Sequence, residues 1–340
     1  MTGQSVDVDI LIVGAGPVGL FGAFYAGERG LSVAVVDSLS QVGGQVSAMY
    51  PEKDIYDIAA LPVVTGRDLI DGLVAQAGQY DPTYLLGQEA QELTETVGDD
   101  GTTRLSVRTS AGTEITCGAV IVTGGIGTFT PRPLPAGEEF LGRGLDYFVP
   151  SKDAYVGKDV VVVGGGDSAI DWCLMLQPVA ASVTLVHRRE AFRAHAASVE
   201  KARDADVEFI TNAQVVALEG GDGIEKAVIE VKGEEVPRSI ACAQVVAALG
   251  FTANLGPMRD WGVELRDNRH LVVDTTMRTN LTGVFAAGDI TEYPGKVRLI
   301  AVGFGEVATA VNNAAVHIDP EAQLFPGHST DTPHQIPVPA

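Results

Sequence analysis

Sulfur is scarce in this chain of 340 residues, and what there is of it is scattered. The three cysteines, Cys117, Cys173 and Cys242, form no C-x-x-C pair and match no zinc spacing. They read as small buried hydrophobes, and no metal site is expected. Positive charge is short as well: 23 lysines and arginines stand against 44 acids, a formal net charge of −21. Nucleic-acid binding is driven by neutralising phosphates, so a general nucleic-acid binder is excluded, and adhesion to an anionic membrane is disfavoured. The opening apolar run is too short and too broken by glycine to span a bilayer, and no signal peptide precedes it, so the expected setting is the cytoplasm. With 46% hydrophobic and 20% charged residues, the chain otherwise has the composition of a globular protein with one large or two medium domains.

Glycine, by contrast, is plentiful and placed. The apolar run Asp9–Val13 reads as a buried parallel strand that breaks into Gly14-Ala15-Gly16-Pro17-Val18-Gly19 and continues as a helix through Leu20 and Ala26. In such a turn the first glycine allows the bend and the second lets backbone N–H groups approach a pyrophosphate. The third lets helix and strand pack closely, and the helix N-terminus faces the phosphates. The next strand, Ser32–Val36, ends at Asp37, about 20 residues on, where an acid receives a ribose hydroxyl. That pattern suits FAD or NAD. A second glycine turn with an amide, Gly43-Gly44-Gln45, follows, and then a loop carrying Tyr50, whose position alone fits plain packing equally well. Residues 66–79 have helical periodicity, 89–117 alternate as an antiparallel meander with a turn at 98–101, and 119–125 return to a buried strand ending in glycine.

The opening unit then recurs. Asp159–Val163 is a strand, and Gly164-Gly165-Gly166-Asp167-Ser168-Ala169 is the turn, with Ala169 in place of the third glycine. The helix continues through Trp172 to Pro178, and the next strand, Ser182–Val186, ends without an acid. At the offset where the first copy has Asp37, this one reads His187-Arg188-Arg189, with Arg193 shortly after. Guanidinium forks there suit the 2′-phosphate of NADP through charge-assisted hydrogen bonds. A meander over 213–242 and a strand over 244–250 complete the repeat. Pro131, Pro133 and Pro135 mark one crossing between domains and Gly250–Gly256 the other. The expected division is residues 1–125 with 256–340, binding FAD, and 126–255, binding NADPH. Two crossings leave room for a relative rotation. In the last third, a buried strand ends in Gly288-Asp289, whose carboxylate can meet sugar hydroxyls. A helix over about 301–316 could bring its N-terminus to a flavin ring. The tail from Phe325 to Ala340 is polar and Pro-rich, and by itself fits a frayed end.

The expected fold is therefore α/β, with two Rossmann-like dinucleotide-binding domains, each carrying a three-stranded antiparallel meander. The order and spacing of Gly14–Gly19, Gly43-Gly44-Gln45, Tyr50-Pro51-Glu52-Lys53, Gly164–Ala169, His187-Arg188-Arg189, Ala286–Asp289 and His328-Ser329-Thr330 resemble the thioredoxin-reductase-like ferredoxin–NADP+ reductases over nearly the whole chain. The resemblance implies hydride transfer between NADPH and FAD, then single-electron transfer to ferredoxin or a similar carrier, in a homodimer. Tyr50 matches the tyrosine that stacks on one flavin face; His328 falls where the tail covers the other, with Thr330 near the reactive edge. Gly14, Gly16, Pro17, Gly19, Asp37, Gly44, Gln45, Asp289 and Thr330 would hold FAD. Gly164, Gly166, Asp167, Ser168, His187, Arg188, Arg189 and Arg193 would hold NADP(H). Thioredoxin reductases carry a C-x-x-C after the Pro-rich connector, where this chain reads Leu145–Pro150; the lipoamide-dehydrogenase type carries a cysteine pair where this chain reads Gln45–Tyr50. Electrons must then leave the flavin directly. Flavodoxin as acceptor is the near alternative, a non-catalytic flavin-binding sensor the distant one.

Overall fold

The computed structural model describes residues 4–97, 103–149 and 151–328, apart from the side chains of Phe129 and Ala253. The expected turn at 98–101 and the tail from Ser329 onward, Thr330 included, lie outside the described residues. The chain divides into two compact units. The first takes Met1–Ser47, Asp54–Thr128 and Asn254–Ala340; the second takes Ala48–Lys53 and Phe129–Ala253. The units meet at Thr128/Phe129 and Ala253/Asn254, and Ala48–Lys53 groups with the second unit. Tyr50 packs on a core cluster of that unit, and the Lys53 ammonium pairs with the Asp171 carboxylate.

In the first unit, Ser5–Val13 (β1) is the central strand. Val33–Asp37 (β2) lies parallel to it, with Ile10 opposite Val33, and Thr83–Leu86 (β3) lies parallel to β2. Between β1 and β2 runs the helix Pro17–Glu28 (α1), and before β3 runs Gly66–Ala77 (α2), capped by the Thr65 hydroxyl, which accepts from the Asp68 N–H. Ala90–Val97 (β4), Thr103–Thr109 (β5) and Glu114–Val122 (β6) form the meander, and the sheet order is β3-β2-β1-β6-β5-β4. Ile10, Leu11, Ile12, Val120 and Ile121 are fully buried, as a parallel sheet covered on both faces requires. The sequence suggests a break between the meander and a new strand at Ala119, but the two are one strand. Gly118 keeps β6 continuous, and Ile318 fills the space a Cβ would need, 2.8 Å away. The first half of β6 pairs antiparallel with β5, and its last three residues pair parallel with the closing strand Val284–Ala286. The long helix Ile300–Ile318 follows that strand and packs closely on α1: a Cβ on Gly22 would lie 2.6 Å from Val307.

The second unit repeats the scheme. Asp159–Gly164 (β7), the helix Asp167–Leu176 (α3), Ser182–His187 (β8), the helix Ala196–Asp204 (α4) and Glu208–Thr211 (β9) lead to a separate meander of Ala213–Glu219 (β10), Lys226–Val231 (β11) and Arg238–Ala241 (β12). Gln244–Ala248 (β13) then pairs parallel with β7, and the short strand Leu145–Asp146 lies beside β13. The order β9-β8-β7-β13 matches β3-β2-β1-β6 of the first unit. Here the meander is a sheet of its own, and β13 is a new strand. No helix among the described residues is long and apolar enough to cross a membrane.

Candidate functional site

In the first unit the glycine turn is tied down by two hydrogen bonds at Gly14. The Gly14 N–H donates to the Val36 carbonyl at 2.8 Å, and the Thr123 hydroxyl donates to the Gly14 carbonyl at 2.8 Å. Gly14 has φ +117° and its missing Cβ would lie 2.8 Å from the Thr123 backbone, so only glycine fits there. A Cβ on Gly19 would lie 1.9 Å from the Gly14 carbonyl oxygen, which is the close helix–strand contact that the third glycine permits. Gly16 differs: a Cβ there would meet nothing within 4 Å. It stands at the N-cap of α1, which has Pro17 in its first turn and no side chain capping it. The result is an open cradle at a helix N-terminus whose N–H groups have no side-chain acceptor, the geometry that takes a pyrophosphate.

The other first-unit candidates gather around that cradle. The Asp37 carboxylate accepts from the N–H of Ala15 at 2.7 Å and of Leu39 at 2.8 Å. Burial raises its pKa, against the lowering effect of those two hydrogen bonds. Gly43 donates to the Ala15 carbonyl at 2.8 Å, Gly44 comes within reach of Gly16, and Gln45 lies over Gly125. Asp289 follows Gly288 at the end of the closing strand. Its pKa is raised by burial, while Lys296 and Arg298 act in the opposite sense. The helix Ile300–Ile318 also starts with no side-chain cap, and Gly303 lets it approach Val18 and Gly288. Tyr50 packs on a core cluster of the second unit. His328 is exposed and packs edge-on against Phe325 at 5.1 Å between ring centres.

The second unit builds the same cradle with different walls. Gly164 is too close to the Ala248 carbonyl for any Cβ, at 2.5 Å, whereas Gly166, the N-cap of α3, opens on free space. Ala169 in place of a third glycine is tolerated, buried beside Gly164. The Asp167 carboxylate accepts from the His195 N–H at 2.9 Å, and the Gly165 carbonyl accepts from the Arg193 N–H at 2.8 Å. These bonds fold residues 188–195 back over the turn. Asp167, Ser168, Arg188, Arg189 and Arg193 are all exposed. His187 turns inward instead. Its ring occupies the space above Gly165, stacks on Phe192 at 5.0 Å and faces the Ala191 carbonyl at 3.3 Å. Burial lowers its pKa, and Arg188, Arg189 and Arg193 lower it further, so the three guanidiniums share one electrostatic neighbourhood.

Four residues that sequence reasoning passed over hold the first site together: Thr123, Tyr293, Lys296 and Glu306. The clearest signal for any of them is Glu306, the one acid in the helix Ile300–Ile318 and buried within it. All three cysteines are buried and unpaired; burial pushes Cys117 up to about 12 and Cys242 up to about 11, and raises Cys173 as well. Thiols held this way are poor nucleophiles and poor redox relays.

A family profile described as pyridine nucleotide-disulphide oxidoreductase matches residues 8–314. A protein of Nocardioides sp. strain JS614 named ferredoxin--NADP reductase is 59% identical over 331 residues, which is 97% of this chain and 99% of the relative. One of the same name from Salinispora arenicola is 60% identical over 325 residues, 96% and 99% of the two chains. Among solved structures, thioredoxin reductase of T. acidophilum superposes with a TM-score of 0.75 at 25% identity, covering 93% of this chain and 99% of that one.

Proposed function

The chain belongs to the pyridine nucleotide-disulphide oxidoreductase family, and from that membership we propose that it works as a ferredoxin–NADP+ reductase. It is a flavoprotein oxidoreductase that uses FAD and NADP(H). A flavin, when bound, takes up a hydride and gives out electrons one at a time, which a nicotinamide cannot do. The first unit holds FAD: Gly14, Gly16, Pro17 and Gly19 present the open N-terminus of α1 to the pyrophosphate, Asp37 meets the ribose, Gly44 and Gln45 close on the turn, and Asp289 takes sugar hydroxyls. The second unit holds NADPH: Gly164, Gly166, Asp167 and Ser168 receive its pyrophosphate, and Arg188, Arg189 and Arg193 its 2′-phosphate. His187 supports that loop from beneath. Tyr50, His328 and Thr330 cover the ring. No side-chain acid or base is needed for hydride transfer, so the work of these residues is to bind and align. The partner is ferredoxin, the protein is a homodimer, and its reduced thiols and NADPH chemistry fit the cytoplasm.

The observation that carries this reading is the exchange at one topological position. The strand after the first glycine turn ends in Asp37, and the strand after the second ends in His187 and the exposed arginines, in a chain of net charge −21. The direct test follows cytochrome c reduction by NADPH or NADH, with and without ferredoxin, for wild type and Arg188→Ala/Arg189→Ala. Ferredoxin is expected to accelerate the reaction. The double variant is expected to lose its preference for NADPH, with KM for NADPH rising about 10–100-fold per charged hydrogen bond lost. No gain from ferredoxin removes the named carrier, and flavodoxin in its place tests the alternative. Bound FAD with no turnover by any acceptor favours the sensor. A retained NADPH preference removes the 2′-phosphate assignment.

A further inference from the structure

The Gly288 peptide is held by an ion pair sealed inside the first unit. The Lys296 ammonium and the Glu306 carboxylate meet at 2.5 Å, their side chains 1% and 5% exposed. Counted over whole residues, backbone included, Glu306 is the only charged residue that is buried among the described residues. Its Oε2 accepts from the Gly288 N–H at 2.7 Å, and its Oε1 accepts from the Tyr293 hydroxyl at 2.5 Å as well as from Lys296. The Gly288 carbonyl in turn accepts from Lys296 Nζ at 2.9 Å, from the Thr291 hydroxyl at 2.8 Å and from the Thr291 N–H at 3.0 Å. Both backbone polar groups of one residue are therefore gripped by the two halves of one buried pair. That residue has φ +83°, precedes Asp289, and lies against Gly303 in the first turn of the helix Ile300–Ile318.

A pair buried this deeply is a poor source of net stability, because desolvating both charges offsets most of their attraction. What it supplies is direction: each charge has one place to go, and Gly288 lies between them. We propose that Lys296 and Glu306 are positioning residues for the flavin. By clamping Gly288 they set where the Asp289 carboxylate and the open N-terminus of the following helix present themselves to the cofactor. This rests on the assignment of FAD to the first unit. Tyr293, whose hydroxyl is pushed up to about 12 by burial and by its bond to Glu306, stays a neutral donor and steadies the carboxylate at Oε1. Supporting residues of this kind decide whether a site is tight or loose without touching the ligand.

The test compares wild type with Lys296→Met, Glu306→Gln and Tyr293→Phe. FAD is titrated into the flavin-free proteins by fluorescence, the midpoint potential of each reloaded protein is measured, and each flavin-free protein is melted. The expected result is FAD binding weakened about 10–100-fold in Lys296→Met and Glu306→Gln, the range typical when a supporting partner is lost. A smaller loss is expected in Tyr293→Phe, and midpoint potentials should move away from the wild-type value. Lys296→Arg should recover part of the affinity. Unchanged affinity and potential, with lower melting temperatures, would show that the pair serves the fold alone and overturn the proposal. If Lys296→Met does not fold, Glu306→Gln and Tyr293→Phe decide by the same criteria. Wild-type protein that takes up no FAD overturns the underlying assignment instead, and is seen before any variant is compared.

Discussion

The His187 ring lies where a Cβ on Gly165 would have to be, with its Nε2 toward the Ala191 carbonyl and three arginines around it. That explains a third glycine in a row where the first unit manages with Ala15. In the nucleotide-free protein the NMR titration of His187 should have a midpoint below the usual 6.5, rising toward that value in Arg188→Ala/Arg189→Ala. Since the folded value lies below the unfolded one, the stability gained from the neutral ring is intact above about 6.5 and is lost as pH falls through the lowered value. A midpoint unmoved by the double substitution would show that the arginines do not converge there. The acid and the arginines were legible because a Rossmann unit fixes their offset from the glycines. The task of Thr123 was not, because its partner Gly14 is distant in sequence, nor were those of His187 and Lys296, whose nearer partners meet them only once the intervening loops fold back.

Two glycines of one turn should behave oppositely when given a methyl group. Gly19→Ala would drive a Cβ to 1.9 Å from the Gly14 carbonyl oxygen, so α1 must lift off β1, at a cost of about 1–3 kcal/mol. Gly16→Ala has free space and an ordinary φ of −71°, so its cost at the N-cap should stay within about 1 kcal/mol. It should nonetheless weaken FAD binding, because the methyl group stands in the cradle. Urea denaturation of the flavin-free proteins, set beside FAD titration, separates the two effects; a Gly16→Ala protein that binds FAD as wild type does would show that the pyrophosphate lies elsewhere. Parallel strands, glycine turns and both meanders could be read from residue pattern. The fusion of the first meander with the central sheet could not, since Gly118 looks like a break until Ile318 is seen filling its place.

Each unit has its own hydrophobic core: one cluster built around β1 and β6, two built around β7. Two ligands assigned to two such bodies should act separately on stability. Calorimetry should show FAD raising one thermal transition and NADP+ the other, each by about 2.7 kcal/mol at a hundredfold excess over Kd. A single transition raised equally by both would contradict the separate assignments. The duplication was plain at this scale. The membership of Ala48–Lys53 was not, because the Lys53–Asp171 pair and the packing of Tyr50 join residues distant in sequence. The central claim remains that electrons pass through flavin without help from sulfur, and its most direct test is an anaerobic NADPH titration of Cys117→Ala/Cys173→Ala/Cys242→Ala. The purified variant should be yellow, and one equivalent of NADPH should bleach its visible flavin band as fully as in wild type. A colourless protein that stays so when supplied with FAD, or a flavin band that NADPH no longer bleaches once the cysteines are gone, would contradict the account.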